Sequence, residues 1–200
     1  EEASAADEIV LTSGKGYSNV FHANGGNASF SVMANTLRGV YGTDVLIATA
    51  NSFTGSVLQA DYTRKMAISM IMPNGLMSRQ RTMTGAELKE TVRAFVEGCE
   101  GGFVPFNRGS LPVVSGIAVE VKEYNGRYIL TGITRNGQPL RDDDTVTVTC
   151  LAPEKQMAAL LADENGTSAD GDTWVKNIWR DYVLGGGAVL AEPENYITLR

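Results

Sequence analysis

The chain has 200 residues, 43% of them hydrophobic and 20% charged, so it can bury a substantial core as one domain or as one domain of a longer protein. A formal net charge of -6, without a Lys/Arg cluster, argues against a nucleic-acid partner, because affinity for a phosphate backbone depends on clustered positive charge. No apolar run approaches the roughly 18 residues of a membrane-spanning helix, and no signal-peptide core precedes the acidic start. We therefore expect no membrane span in this chain.

The first third of the chain predicts a sheet covered by helices. Residues 1–7 are acidic and predict a flexible lead-in, with one domain over residues 8–200. Glu8–Thr12 is a strand candidate, and residues 13–27 predict a long loop. The next segment has apolar residues at helical spacing, namely Phe30, Met33, Ala34 and Leu37. Residues 44–50 then form an apolar run of strand length, typical of a strand that is buried on both faces.

The middle of the chain contains a well-defined helix start. Residues 68–72 and 76–82 are strand candidates on either side of a Pro73–Leu76 corner. Thr84 and Glu87 have the spacing of a capping box, in which each side chain satisfies the other residue's backbone N–H. The predicted helix runs over residues 84–97, with its apolar stripe at Leu88, Val92, Phe95 and Val96.

The last part of the chain predicts hairpins and two more helices. Apolar residues alternate after residue 113, and Asn125-Gly126 and Asn136-Gly137 are strong turn signals, the second preceding a strand at 145–150. One helix should begin at Pro153 and include Met157, Leu160 and Leu161. Another should be capped by Asp172, with Trp174, Ile178 and Tyr182 on one face, before a final strand at 196–199. This order of elements predicts an α+β (mixed α/β) fold with mixed sheets covered by helices.

Four apparent functional signals are weak. Ser13–Ser18 lacks the spacing of a phosphate-binding loop. The acidic run at residues 163–172 lacks the glycine at the sixth position and the glutamate at the twelfth that a calcium loop requires. His22 is the only histidine, so neither a serine-histidine triad nor a hydrolytic zinc site is predicted. Cys99 and Cys150 are too few for a disulfide framework, and we expect two buried or free thiols.

Five segments occur in an order that resembles a known family. They are Asn27–Arg38, Thr43–Asn51, Met83–Glu90, Val114–Gly116 and Asn136–Leu140. Met83–Glu90 is the most specific of them, since it is similar to a sequence that this family carries, Leu-Thr-Gly-Ala-Glu-Leu-Lys-Glu. The combination resembles the C-terminal domain of the 5′-nucleotidase / UDP-sugar hydrolase family, from about residue 27 to the end.

The resemblance implies a division of labour between two domains. In that family an N-terminal metallophosphoesterase domain binds two divalent metal ions and hydrolyses the substrate, while the C-terminal domain holds the nucleoside. The family's metal-ligand signatures have no counterpart here, so no metal or other cofactor is expected in this chain. The resemblance also implies an extracellular, periplasmic or cell-surface protein.

The family's nucleoside-binding residues are largely replaced in this sequence. Its glycine-rich loop with a phosphate-side Arg corresponds to Asn51–Ser56, which keeps only the Asn. Its Pro-Phe-Gly-Asn corner corresponds to Pro73–Leu76, and its second stacking Phe falls near Pro153. The candidate ligand pocket therefore consists of Asn51, Phe53, Arg64, Asn74 and Pro153, in which Phe53 and Arg64 are partial substitutes for the lost groups.

The expected effect of these replacements is large. An aromatic ring stacked on a base contributes about 1 to 3 kcal/mol, and a hydrogen bond to a charged group about 1.5 to 3 kcal/mol. Losing two rings and one Arg removes roughly 4 kcal/mol or more, about a thousandfold in affinity. Two hypotheses remain open: the substrate-recognition domain of a phosphohydrolase with altered substrate choice, and a non-catalytic binding or structural module.

Overall fold

The computed structural model describes residues 6–22, 26–49, 52–71, 75–97, 111–125, 127–153, 157, 173–194 and 197–200. These residues form an α+β fold with mixed sheets, as predicted. In chain order the elements are β1 (Ile9–Ser13), β2 (Phe21–His22), β3 (Gly26–Asn27), α1 (Ala28–Tyr41), β4 (Val45–Ala48), β5 (Ala60–Thr63), α2 (Arg64–Ile68), β6 (Leu76–Thr84), α3 (Gly85–Glu97), β7 (Val113–Ser115), β8 (Ala118–Tyr124), β9 (Arg127–Arg135), β10 (Gln138–Pro139), β11 (Thr145–Pro153), β12 (Thr173–Trp174), α4 (Val175–Leu184) and β13 (Ile197–Leu199).

Two sheets dominate the architecture. The larger has five strands in the order β12-β6-β11-β4-β7, and only the β11–β4 pair is parallel. The second has four strands in the order β10-β9-β8-β13, with β13 parallel to β8. All four residues of β4 are fully buried, as expected for an inner strand with both faces covered. Strands β1 and β5 form a separate antiparallel pair, and so do β2 and β3.

Helix α1 forms where the sequence predicts it. Asn27 caps its start, with its side-chain oxygen accepting a hydrogen bond from the Phe30 N–H at 3.0 Å. Gly42 ends the helix in the left-handed conformation, with φ at 65°, which a glycine adopts without a steric penalty. Met33, Ala34 and Leu37 are buried, so the predicted apolar stripe faces the core.

Helix α3 confirms the predicted capping box. The Thr84 N–H donates to Glu87 Oε2 at 2.7 Å, and the Glu87 N–H donates to Thr84 Oγ1 at 3.2 Å. The predicted stripe of Leu88, Val92, Phe95 and Val96 is buried.

The hairpin predictions are also confirmed. Asn125 has φ at 51° and connects β8 to β9, which pair from Tyr124 opposite Arg127. Asn136 and Gly137 have φ at 51° and 75° in the turn between β9 and β10. Both turns have the left-handed backbone that Asn and Gly tolerate. The predicted strand at 145–150 is β11, which is three residues longer.

The predicted strand at residues 68–72 is wrong. Thr63 caps a short helix, α2, that ends at Ile68, and among the described residues 68–71 only Ile71 makes a β-bridge, to Phe53. A short apolar run does not distinguish strand from helix by itself. Packing decides here, because α4 lies on α2 and the Trp179 indole N–H donates to the Ala67 carbonyl at 2.7 Å.

Two expectations near the C-terminus need correction. Pro153 does not begin a helix; it is the last residue of β11, opposite Leu76 of β6. Met157 is helical, while Leu160, Leu161 and Asp172 lie outside the described residues. Helix α4 exists, but its buried face consists of Val175, Trp179 and Val183 rather than Trp174, Ile178 and Tyr182, because the large Trp179 indole is the side chain that enters the core.

Candidate functional site

The carboxyl ends of two strands bring the described parts of the predicted pocket segments to one edge of the five-stranded sheet. Strands β4 and β11 are parallel, with Ala48 opposite Leu151, so both end at that edge. Strand β6 runs the other way and begins there, with Leu76 opposite Pro153. We define the strand-end rim as the described residues at this edge, which are Thr49, Ser52, Phe53, Gly75, Leu76 and Pro153. Asn51 and Asn74 lie outside the described residues.

The turn after β4 is closed by its own hydroxyl groups. The Thr49 and Ser52 side-chain oxygens lie 3.1 Å apart, and the Ser52 N–H donates to the Thr49 carbonyl at 2.9 Å. Ser52 is fully buried. These polar groups satisfy one another within the turn, which leaves them little capacity for a ligand.

Phe53 is part of the core. Its side chain is only 4% exposed, and its ring centroid lies 5.8 Å from that of Phe30 at an interplanar angle of 51°. Neighbouring groups hold the segment in place: the Thr54 N–H donates to the Met70 carbonyl at 3.2 Å, and Thr54 Oγ1 donates to the Ser69 carbonyl at 2.7 Å. Stacking on a base requires an exposed ring face, so Phe53 would have to leave its packing to supply one.

Arg64 is engaged with the N-terminal strand region. Its guanidinium donates to Glu8 Oε2 at 2.7 Å, and its backbone N–H donates to the Glu8 carbonyl at 2.9 Å. Within the described ranges, no hydrogen bond or ion pair connects Arg64 to the strand-end rim. The structure therefore brings Pro153 to the rim and buries Phe53 beside it, while Arg64 pairs elsewhere. A ligand-binding role for these residues stays a prediction.

Cys150 lies inside the five-stranded sheet, opposite Arg79. It is a free thiol, and burial raises its pKa to about 12. Such a thiol stays protonated and unreactive at neutral pH. This agrees with the expected buried thiol, and Cys99 lies outside the described residues.

A polar cavity lies at the opposite, amino end of β4. Its volume is about 520 Å³, within the range of small-molecule sites. The turn after α1, the β7–β8 connection and the end of β9 form its walls, and the charged or polar residues among them include Arg38, Asp44, Arg135, Asn136 and Glu194. We call this space the polar cavity. No local sequence pattern indicates this cavity, because its residues come from separate segments and only the tertiary fold brings them together.

Asp44 lines the polar cavity, and both of its carboxylate oxygens accept hydrogen bonds. One carboxylate oxygen accepts from Arg135 at 2.6 Å, and the other accepts from the backbone N–H and hydroxyl of Thr147 at 2.8 and 2.9 Å. The backbone hydrogen bond from Thr147 is the largest cause that holds the Asp44 pKa below its ordinary value, and Arg135 and Arg38 add to it. This carboxylate also links the two sheets, since Arg135 ends β9.

Arg38 is held loosely by comparison. Its guanidinium lies 3.6 Å from the Glu194 carboxylate, 3.4 Å from the Asp44 carbonyl and 3.2 Å from the Asn35 amide oxygen. Its Nε is buried without a hydrogen-bond partner among the described residues. An unsatisfied buried donor costs about 1 to 3 kcal/mol, so Arg38 is not optimally paired in this arrangement.

Two further features of the described residues bear on function. His, Cys, Asp and Glu side chains form no group of three or more in those ranges that could hold a metal ion. Among the helices of the described part of the chain, none combines the length and apolarity needed to cross a membrane.

Similarity to known proteins is detectable in the fold but not in the sequence. The sequence matches no protein-family model and no curated protein. A 5′-nucleotidase precursor from Thermus thermophilus matches with TM-score 0.63 and 13% identity, over 96% of this chain and 39% of the other. The NAD nucleotidase NadN from Haemophilus influenzae matches with TM-score 0.63 and 16% identity, over 98% and 39%.

A third solved structure extends the comparison. The sulfate thiohydrolase SoxB from Thermus thermophilus, in complex with glycerol, matches with TM-score 0.64 and 10% identity, over 96% of this chain and 35% of the other. The chain thus spans less than two fifths of the length of each of these three proteins. At these identities the likeness concerns the fold. The chain therefore has the fold of a 5′-nucleotidase C-terminal domain and corresponds to one part of each of these longer proteins.

Proposed function

We propose that this chain is the non-catalytic, substrate-side domain of a longer 5′-nucleotidase-like phosphohydrolase, and that its strand-end rim no longer holds a nucleoside. Residues 8–200 form this single domain. A metallophosphoesterase domain outside this chain supplies the divalent metal ions and the hydrolytic chemistry. The shared fold over nearly the whole chain supports the proposal, as does the limited share of the longer proteins that it covers.

The burial of Phe53 is the main observation that supports the proposed loss of the nucleoside site. Phe53 is the one aromatic ring of the candidate pocket, and it is only 4% exposed against Phe30. Pro153 at the end of β11 has no aromatic face. With Arg64 paired to Glu8, neither ring stacking nor a cationic partner for a phosphate comes from the described candidate residues.

Ligand-induced stabilisation tests the lost nucleoside site. A ligand at a hundred times its Kd, if it binds only the folded state, stabilises it by about 2.7 kcal/mol and raises the melting temperature by several degrees. We expect millimolar adenosine, AMP or UDP-glucose to produce almost no shift. A saturable shift of several degrees with adenosine contradicts the proposal and makes Asn51, Phe53 and Arg64 the first residues to substitute.

Restoring a ring tests the same site from the other direction. Asn74→Phe restores the family's stacking Phe in the Pro73–Leu76 corner and should recover at most about 1 to 3 kcal/mol of nucleoside binding. Lys122→Phe places the same ring at an exposed position on β8 and is the matched control. Equal gains for both variants would mean that the ring binds nucleosides without any help from the rim.

A phosphate-release assay tests whether hydrolysis depends on a domain outside this chain. This chain alone, supplied with manganese, zinc or cobalt, should release no phosphate from AMP, ADP or UDP-glucose. A longer protein that includes the metallophosphoesterase domain should show metal-dependent turnover that chelation abolishes. Chelator-sensitive turnover by the purified chain alone would mean that it holds a metal site of its own.

A non-catalytic binding or structural module of a secreted or cell-surface protein is the second candidate. The observation that favours it is that Phe53 and Arg64 serve structural contacts rather than an open pocket. The sequence next to this domain separates the candidates. Metal-ligand signatures there, with turnover on any phosphate ester, favour the hydrolase, and their absence favours the module.

A further inference from the structure

The two arginines of the polar cavity differ in how well they are paired. Arg135 has a short ion pair with Asp44, at 2.6 Å. Arg38 has only long contacts, of which the shortest is 3.2 Å to an uncharged amide oxygen. A guanidinium carries five N–H donors that match the geometry of a carboxylate. Arg38 is therefore the cationic group of the cavity with unused capacity.

Glu194 is the carboxylate nearest to the Arg38 guanidinium among the residues that line the cavity, but it does not pair with it tightly. Its carboxylate lies 3.6 Å from the Arg38 guanidinium and 3.5 Å from the Gly116 N–H. Both distances exceed those of charge-assisted hydrogen bonds, which are about 2.7 to 2.9 Å. The Glu194 backbone is fixed by Ser31, whose hydroxyl bonds its N–H at 3.0 Å and its carbonyl at 3.1 Å. The side chain alone can therefore swing away and leave the segment in place.

The rest of the cavity suits a ligand with hydroxyl groups. Thr134 and Asn136 line it, and their side chains make no hydrogen bond within the described ranges. The volume of about 520 Å³ exceeds what a lone ion fills. Free hydroxyl and amide groups around a single underused cation match a polar molecule that carries one negative charge.

The polar cavity is separate from the strand-end rim. It adjoins Thr43 and Asp44 before β4, whereas the rim begins at Thr49 after it. The whole of β4 lies between, a rise of about 10 Å or more. A ligand here is therefore independent of the function proposed for the rim.

We propose that the polar cavity binds a small hydroxylated carboxylate, whose carboxylate takes the place of Glu194 between the Arg38 guanidinium and the Gly116 N–H. Planar carboxylates fit the two parallel donors of a guanidinium edge, and the single N–H of Gly116 adds a third donor. Gly116 has φ at 82°, and a Cβ there would lie 2.1 Å from the Asp44 carbonyl oxygen, so the backbone itself forms this wall.

Calorimetric titration with two closely matched sugars tests the proposal on the whole chain. Glucuronate carries the carboxylate and the hydroxyl groups, and glucose is the neutral counterpart. We expect saturable glucuronate binding at millimolar concentration or below, and glucose weaker by about tenfold or more, which is the usual effect of a charged hydrogen bond. Inorganic phosphate should bind more weakly than glucuronate. Absence of glucuronate binding, equal affinities for the two sugars, or tighter phosphate binding overturns the proposal.

Three variants locate the site. Arg38→Gln should weaken glucuronate about tenfold or more. Arg141→Gln removes the same charge from an exposed arginine outside the cavity, paired with Asp143, and should change affinity less than about twofold. Glu194→Gln should strengthen binding several-fold, because it removes a competing negative charge. Equal losses for both arginine variants, or weaker binding by Glu194→Gln, contradicts the proposed geometry, and the wild-type sugar comparison decides the matter if Arg38→Gln does not fold.

Discussion

The two ends of β4 differ in how tightly their surroundings are packed. At its carboxyl end, side chains that could face a ligand belong to the core: Ser52 is fully buried and Phe53 packs on Phe30. At its amino end, Arg38 and Glu194 border an open polar cavity, and their carboxylate–guanidinium distance is 3.6 Å. The same strand thus ends in tightly packed core residues on one side and begins beside an open polar cavity on the other.

The difference shows how a fold can keep its architecture while its ligand site changes. A nucleoside site needs exposed rings and unpaired donors at the sheet edge. Here the described rim uses its ring for packing and its hydroxyls for each other, which stabilises the domain. At the other end, the fold leaves charges that only partly neutralise one another.

Replacing Phe53 should produce the largest effect. Phe53→Ala removes a buried ring and should lower the free energy of unfolding by about 3 to 5 kcal/mol, as measured by chemical denaturation. Tyr124→Ala removes an aromatic ring that is 59% exposed, and we expect a change within about 0.5 kcal/mol. A loss below about 1 kcal/mol for Phe53→Ala would indicate a ring that is free to stack on a ligand, and the contrast between the two ends would disappear.

Gly116→Ala should have the next largest effect. The new Cβ would lie 2.1 Å from the Asp44 carbonyl oxygen, in addition to the strain of a positive φ, so we expect a loss of about 2 to 4 kcal/mol. Gly137→Ala has a similar φ of 75° with open space around it, and it should cost only about 1 to 2 kcal/mol. Equal losses in denaturation would mean that the cavity wall relaxes freely at Gly116.

Asp44 should make stability depend on pH. Its folded pKa lies below the ordinary value of 3.8, so its stabilisation is fully present above that value and is lost as the pH falls through the lower folded value. Asp44→Asn should lower the free energy of unfolding by only about 1 to 2 kcal/mol at neutral pH, because solvent screens this partly exposed carboxylate. It should also weaken the fall in stability at acid pH. Asp181→Asn, an exposed carboxylate beside Arg180, is the control. An acid limb that is unchanged in Asp44→Asn would contradict the assigned role.

Substitutions in the capping box of α3 should have the smallest effect on stability. This box is distant in sequence from both ends of β4. Thr84→Ala should cost about 1 kcal/mol and Glu87→Ala somewhat less. The double variant should lose less than the sum, because the two residues satisfy one helix end together. Additive losses in denaturant melts would show that the two hydrogen bonds act independently.

Elements with local signals were predictable from the sequence. Asn27 and Gly42 bound α1, the Thr84–Glu87 box starts α3, and Asn125 and Asn136 mark the turns, because each signal acts within a few residues. The predicted strand at residues 68–72 is wrong because a short apolar run fits both a strand and a helix, and the contact of α2 with Trp179 decides between them. The buried face of α4 also differs from the predicted one, because the contact of Trp179 with α2 decides which side of the helix enters the core.

The sites were less predictable than the fold. The corner at Leu76 and the end of β11 at Pro153 do meet, because register follows from strand pairing. The burial of Phe53 depends on Phe30, and the polar cavity depends on residues from both sheets and from the segment around Glu194. Contacts between distant segments leave no periodic pattern in a sequence.

An NMR titration with adenosine shows directly whether the strand-end rim still binds a nucleoside. Backbone amide signals report each end of β4 separately: Ser52, Gly75 and Leu76 at the strand-end rim, Gly116 and Gly137 at the polar cavity. We expect millimolar adenosine to leave the rim signals where they are in the free protein. Saturable shifts confined to Ser52, Gly75 and Leu76 would contradict it and restore the rim as a nucleoside site.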